Sequence, residues 1–450
     1  MIAAESTQFP RFKSLSGSVD RLFRRVLSDR MSRLQFGELE LVDPYGRRLF
    51  GATKELRAQV RVHRSAFFRR AVLGGTLAVA DSYIRGDWDC DDLTALFRLL
   101  LRNRSSMDRL DVGFPRIVGW MERLRRRRRA NTREGSRRNI AAHYDLGNEF
   151  FQLWLDETMA YSCGIFVSPT SSLRDASIEK FDRVCRKLDL NPADHLLEIG
   201  GGWGGFAVHA ATRYGCRVTS TTISRRQFDF ALDRIQRSGA AGKVALMRED
   251  YRDLVGRFDK LASIEMIEAV GIDRLDEYFG QCSRLLRPDG TFVLQAIVMP
   301  EQGYAKYLAS VDFIQRYVFP GGCLPSMGAI LGSIGRATDF RLVHVEDFAP
   351  HYAETLRRWR RAFELRAGDV RALGGSESFV RLWRYYLSYC EAAFLERSIG
   401  LVQMQFDKPG CRRDPGTLSR RAASPHGVAR PDEPARRLRR RGRRRRRGGR

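Results

Sequence analysis

The chain has little that would cross-link it or ligate a metal. Its eight cysteines, Cys90, Cys163, Cys185, Cys216, Cys282, Cys323, Cys390 and Cys411, form no Cys-x-x-Cys pair, and no Cys/His cluster has zinc spacing. At that density in 450 residues neither a disulfide framework nor a metal site is expected. Long apolar runs are also missing. The most apolar short run, Ala71–Ala80, falls well short of the about 20 residues that span a bilayer. The opening MIAAESTQFPRFKSL lacks a secretory apolar stretch. These absences predict a cytoplasmic, reducing location, with any membrane contact peripheral to the inner leaflet.

Acidic residues are scarce beside basic ones, 53 against 79, for a net charge of +26. Half of it, +13, sits in residues 411–450, which hold sixteen Arg and three acids. Such a balance favours an anionic partner, either nucleic acid or a phospholipid surface. No interleaved aromatic and basic RNA motif is present, so no specific nucleic acid is expected. The tail is Pro-, Gly- and Arg-rich and cannot bury a core; it reads as disordered, and no function is built on it. The hydrophobic fraction of 43% excludes a chain disordered throughout.

Composition shifts divide the chain. Residues 1–120 read as a small mixed domain, with strands at Phe36–Val42 and Ala58–Val62 and mostly helical periodicity from Phe67 to Arg102. Residues 121–138 carry the run Arg123–Arg129 and read as a basic linker. Residues 139–410 alternate helical stretches with strands at His195–Ile199, Arg217–Thr221, Lys260–Ile264, Thr291–Ile297 and Arg341–Val345. That alternation predicts βαβ units in a doubly wound α/β sheet.

The strongest local signal is Glu198-Ile199-Gly200-Gly201-Gly202-Trp203-Gly204-Gly205, set after a strand and before a helix. Glycines let the backbone turn sharply and approach a ligand beside a helix N-terminus. The spacing fits both a dinucleotide and S-adenosylmethionine. A dinucleotide site wants an acid about 20 residues on, for the ribose. That region here reads Ser220-Thr221-Thr222-Ile223-Ser224, which disfavours NAD. Asp250-Tyr251, before a later strand, offers an acid for an adenine amino group; alone it reads as a surface turn.

These pieces recur with others in a fixed order: AAHYDLGN, MAYSC, LEIGGGWGG, TTISRRQ, EDYRDL, IEMIEAVG, YVFPGGCLPS and YYLSYCEAAF. The series resembles the cyclopropane-fatty-acyl-phospholipid synthase family, including the mycolic acid cyclopropane synthases, over about 139–406. Tyr83–Cys90 extends it weakly into the first domain. The resemblance implies a class I methyltransferase fold, Rossmann-like, with a seven-stranded sheet. It also implies transfer of a methyl group from S-adenosylmethionine to a cis double bond of a phospholipid acyl chain. The cation then loses a proton to bicarbonate and closes to a cyclopropane; relatives leave a methyl or methylene branch, the former with a reductase partner. A homodimer is a further expectation from homologues.

The resemblance places the cofactor on Tyr161, Ser162, Gly200, Gly202, Gly204, Thr222, Ile223, Gln227, Asp250 and Tyr251. It places bicarbonate on Cys163, Glu268, Ile297 and Tyr352, and an active-site cysteine on Cys390. Read alone, Cys163, Tyr352 and Cys390 suit core packing; a carboxylate such as Glu268 in so apolar a segment is unusual. Two departures stand out. Where family members carry His, this chain has Ala269 and Gln295. Gln295 can orient a carbonate species but cannot shuttle a proton near neutral pH. The departure leaves methyl transfer intact and opens the fate of the cation, ring or methyl branch.

Overall fold

The computed structural model describes residues 17–105 and 147–412. The expected linker, the Arg123–Arg129 run, the first part of the AAHYDLGN motif and nearly all of the basic tail lie outside them. The described residues up to Cys411 form one compact unit.

The first segment begins with α1 (Gly17–Met31) and builds a four-stranded sheet from β1 (Glu38–Asp43), β2 (Gly46–Phe50), β3 (Arg57–Val62) and β4 (Trp88–Cys90), in the order β2-β1-β3-β4. Strand β1 buries Leu39, Leu41 and Asp43 while the alternate residues are half-exposed. This is the period-2 alternation that predicted it. The β1–β2 turn is made locally: Asp43 Oδ1 accepts the Tyr45 N–H at 2.8 Å, the Asx turn that an Asp-Pro signal anticipates. Between β3 and β4 runs α2 (Ala66–Ile84), and α3 (Leu93–Arg102) follows, started by an Asp92 cap on the Ala95 N–H.

The second segment opens with α4 (Asn148–Gln152) and α5 (Leu173–Leu188), the latter started by a Ser172/Asp175 capping box. There follow β5 (His195–Ile199), α6 (Gly205–His209), β6 (Arg217–Thr221), α7 (Arg225–Arg237), β7 (Val244–Met247), β8 (Phe258–Ile264), α8 (Leu275–Leu285) and β9 (Leu286–Val298). Then come α9 (Glu301–Leu308), α10 (Met327–Ala337), β10 (Arg341–Asp347), α11 (Ala349–Leu365), α12 (Ala367–Ala372), α13 (Glu377–Leu395) and β11 (Gly400–Asp407). The sheet order is β10-β11-β9-β8-β5-β6-β7. All five expected strands are present. Strands β7 and β11 were not anticipated, nor were β2 and β4. Strand β11 pairs antiparallel with both β9 and β10, so the sheet is mixed at that edge.

The central strands are apolar on both faces, as helices on both sides require. Leu197, Ile199, Leu261 and Leu294 pack with α8 and α10 residues on one face. Leu196, Val218, Ala262 and Val293 pack with Phe181, Val184 and Phe206 on the other. A third cluster joins the small sheet to α11 and α13. Its centre is aromatic: Trp154 lies 5.7 Å from Trp359 and 5.6 Å from Trp383, and Phe150 lies 4.7 Å from Trp383. Each such pair contributes about 0.5–1.5 kcal/mol beyond simple burial. Arg381 on α13 pins the seam. It donates to the Tyr83 and Trp88 carbonyls at 2.6 and 2.7 Å and to Asp89 at 2.6 Å, with its guanidinium 4.0 Å over the Tyr83 ring.

Candidate active site

Strand β5 is flanked by β6 on one side and β8 on the other; the chain runs out from it through β6 and β7 and then crosses back to β8, so the strand order reverses here. Open α/β sheets bind ligands at such a switch point, beyond the carboxyl ends of the strands. The glycine loop sits there. Gly200, Gly202 and Gly204 all have positive φ, at 88°, 54° and 79°, which a side chain disfavours. A Cβ on Gly202 would project into open space, and one on Gly204 would press on Ala231 Cβ at 3.0 Å. Gly202 thus leaves room for a ligand, and Gly204 lets α6 approach α7. Beneath the loop, Glu198 takes a 2.5 Å hydrogen bond from the Ser220 hydroxyl, and burial pushes its carboxyl up to about 7.

One cavity of about 450 Å³ opens from this loop. Tyr161, Gly200, Gly202, Thr222, Ile223 and Gln227 line its cofactor end, with Asp250 and Tyr251 beside them. Thr222 donates to Gln227 Oε1 at 3.0 Å, fixing that side chain. Glu268, Ile297, Tyr352 and Cys390 line the far end of the same cavity. Fourteen of the sixteen expected residues either line this cavity or hydrogen-bond to a lining residue. The other two act from behind it. Gly204 shapes the loop, and Ser162 turns its hydroxyl to accept from Lys180 Nζ at 2.6 Å. Asp250 was expected to face an adenine amino group. Its carboxylate is held bidentate by Arg252, at 2.8 and 2.6 Å, so it meets a ligand as half of an ion pair.

The far end differs most from expectation. Its organising group is Glu265, which the sequence reading missed. Glu265 Oε1 accepts the Cys163 backbone N–H at 2.9 Å and the Gln295 amide at 2.6 Å; its Oε2 accepts the Tyr352 hydroxyl at 2.6 Å. Glu265 itself sits at φ 50°, an uncommon conformation for a residue with a side chain. Gln295 is oriented in turn by Gln403 on β11, whose amide donates to Gln295 Oε1 at 2.8 Å. Gln403 Oε1 accepts from the buried Lys187 at 2.7 Å, and Lys187 pairs with Glu346 at 2.8 Å.

Glu268 is held differently. Its Oε1 accepts the Ile297 N–H at 2.6 Å, while its Oε2 is buried and has no hydrogen-bond partner among the described residues. Burial first, and then the charge of Glu265, push its carboxyl up to about 8. Glu268 therefore holds a proton at neutral pH; burial also raises the Glu265 carboxyl, opposed by the hydroxyl of Tyr352, the Cys163 N–H, the buried Lys180 and the Gln295 amide.

Burial raises the Cys163 and Cys390 thiols well above the ordinary range. Cys163 contributes its backbone N–H, and its Sγ donates to the Gly164 carbonyl at 3.1 Å. Cys390 is an apolar wall of the cavity, next to Tyr386 and Phe394.

The expected bicarbonate is poorly served by this arrangement. The Cys163 N–H, the Gln295 amide and the Tyr352 hydroxyl are all spent on Glu265, and the Ile297 N–H is spent on Glu268. The residues named for the anion are together, but around a carboxylate of the chain's own.

Comparison with known proteins gives the family. Residues 131–404 match the mycolic acid cyclopropane synthetase family. The chain belongs to that family. It is 37% identical to the tuberculostearic acid methyltransferase of Mycobacterium tuberculosis over 80% of this chain and 86% of that one. It is 36% identical to the cyclopropane-fatty-acyl-phospholipid synthase of Escherichia coli K12, over 78% and 88%. A probable fatty acid methyltransferase of Pseudomonas putida is 40% identical over 63% of this chain and 72% of its own length. A mycolic acid cyclopropane synthase crystallised with SAH and CTAB superposes with a TM-score of 0.57 at 30% identity, over 60% of this chain and 98% of that one. The protein is an S-adenosylmethionine-dependent methyltransferase of the cyclopropane synthase family, with the class I fold. Among the described residues no helix is long and apolar enough to cross a membrane.

Proposed function

We propose that the protein transfers the methyl group of S-adenosylmethionine to the cis double bond of an unsaturated acyl chain carried by a phospholipid. The observation that carries this reading is the single cavity that joins the glycine loop to an aromatic chamber. Tyr161, Phe319, Tyr352, Tyr386 and Phe394 face that chamber. The Tyr161 and Tyr386 hydroxyls bond each other at 2.9 Å, and the Tyr352 and Phe394 rings stack at 4.4 Å. An alkene is a weak nucleophile, so positioning and exclusion of water must supply much of the rate. As the double bond takes the methyl from sulfur, a carbocation forms, and π faces stabilise positive charge without attacking it. A small amine or hydroxyl acceptor would want a polar pocket instead.

Loss of a proton from the new methyl carbon closes a cyclopropane, or, after a 1,2-hydride shift, leaves a methylene branch. The ring is the outcome first expected. Two relatives named as fatty acid methyltransferases favour the branch as the second reading. Docking on an anionic bilayer from the cytoplasmic side, through the Arg123–Arg129 run, belongs to the same proposal. The deciding experiment is mass spectrometry of total fatty acids after expression in a host without its own cyclopropane synthase. A monounsaturated chain gaining one CH₂ supports methylene addition, and derivatisation then separates ring from branch. A gain of CH₂ and two further hydrogens means a saturated branch made with a reductase. No gain, in cells where the purified protein still binds S-adenosylhomocysteine, refutes the acyl-chain reading.

A further inference from the structure

We propose that Glu265 is the base that removes the proton after methyl transfer, and that its side chain stands in this protein where a bound carbonate species would otherwise be held. The inference rests on the reading of an alkene acceptor given above.

Three observations lead to it independently of each other. First, the donors around Glu265 form the pocket of a small planar anion: a backbone N–H, a primary amide and a phenol, drawn from three separate parts of the chain. A free anion offered the same site would find each donor engaged and a carboxylate beside it. Second, the carboxylate is not fully used. Two oxygens offer about four lone-pair positions. Oε1 takes two donors and Oε2 takes one, so Oε2 keeps one position for a proton. Glu265 also faces the cavity that holds the glycine loop. Third, the backbone gives way to put it there. A non-glycine residue at φ 50° costs about 1–2 kcal/mol. The turn at the end of β8 would be more easily made by Gly, and a Gly there would leave the three donors open.

The Gln at position 295 follows the same logic. With Gln403 donating to its Oε1, the Gln295 amide must present N–H to Glu265. A group that only donates is suited to a carboxylate partner, and it never competes for the proton. The step balances within the chain and its substrate. The alkene electron pair forms the bond to the methyl carbon as the bond to sulfur breaks, releasing neutral S-adenosylhomocysteine. A C–H bond then breaks and its proton goes to Glu265 Oε2: at the new methyl carbon its electrons form the third ring bond to the cationic carbon, and at a carbon adjacent to the cation they form a new double bond. Release of that proton to water resets the base. Glu268, already protonated, does not compete for this role.

The test uses the full-length protein, wild type and Glu265→Gly, with S-adenosylmethionine and vesicles of unsaturated phosphatidylglycerol, in buffer stripped of carbon dioxide and with bicarbonate restored. Wild type is expected to turn over equally in both. Glu265→Gly is expected to lose about 10²–10⁴-fold in stripped buffer and to regain much of it with bicarbonate, since the vacated donors then hold the anion. Gly suits the φ at this position, so the variant should fold; S-adenosylhomocysteine binding within about twofold of wild type checks this. Wild-type turnover that requires bicarbonate, or Glu265→Gly that keeps its rate in stripped buffer, overturns the proposal. A second arm needs no acceptor: ¹³C NMR of labelled bicarbonate should show binding to Glu265→Gly and none to wild type. Binding by wild type that displaces Glu265 overturns the proposal. If that binding contrast holds while no unsaturated lipid is turned over, the acyl-chain reading falls and the vacated anion pocket stands.

Discussion

Replacing Glu268 by Gln should make the protein less sensitive to alkaline pH. The folded protein keeps a proton on Glu268 up to about pH 8, while the unfolded chain releases it near the ordinary 4.5. Unfolding therefore sheds a proton between those limits, and stability falls as pH rises through them. Glu268 contributes its full stabilisation below about pH 4.5 and has lost it once pH passes about 8. A pKa unit is worth about 1.4 kcal/mol, so the whole window has a ceiling of about 5 kcal/mol. Glu268 borders a cavity that admits water, so roughly 2–5 kcal/mol is the reasonable range. Gln preserves an acceptor for the Ile297 N–H and never titrates. Urea unfolding of both proteins at about pH 5 and about pH 8.5 reads the effect directly. The two should differ little at the lower pH, and the Glu268→Gln variant should gain on wild type at the higher. An unchanged difference across that range would refute the argument, because it would mean that Glu268 is charged throughout. Glu265→Gly offers a control: removing the neighbouring charge lowers the Glu268 pKa and narrows the window.

Three further outcomes are expected. Gly201→Ala places a Cβ that overlaps the Ser220 hydroxyl and comes within 2.9 Å of Glu198 Oε2, so S-adenosylhomocysteine affinity by calorimetry should fall at least about tenfold. Gln403→Met frees the Gln295 amide to turn and leaves Lys187 one partner short; kcat should drop with the KM for S-adenosylmethionine unchanged, alongside a stability loss of about 1–3 kcal/mol. Arg381→Ala leaves the Tyr83 and Trp88 carbonyls unpaired at the seam and should cost about 2–4 kcal/mol by denaturant titration.

Much of this architecture is local chemistry, and local chemistry is legible. Five strands, the glycine loop and the capped helices follow from periodicity, turn residues and backbone freedom, each confined to a short window. Most of the residues expected at the cofactor end lie in the turns after β5, β6 and β7, whereas Tyr161 and Ser162, which precede β5, came only from the family resemblance. Strand β11 escaped because it lies past the α13 helix and makes sense only as the partner of β9 and β10. The role of Asp250 was half legible: the acid is where a ligand would meet it, but its pairing with Arg252 depends on the turn they share.

The base is the clearest case of what tertiary structure alone decides. In the sequence, Glu265 is one of two acids in an apolar segment, and the motif directs attention to Glu268. Nothing within its own window separates them. Cys163, Tyr352 and Gln295 lie 102, 87 and 30 residues away. Only the assembled sheet, with Tyr352 brought in on α11 and a left-handed turn at the end of β8, brings their donors to one carboxylate. The chain's order of residues determined the fold and the cofactor. Which acid is ringed by three donors, and which keeps an oxygen without a partner among the described residues, was decided by burial and by where the donors point.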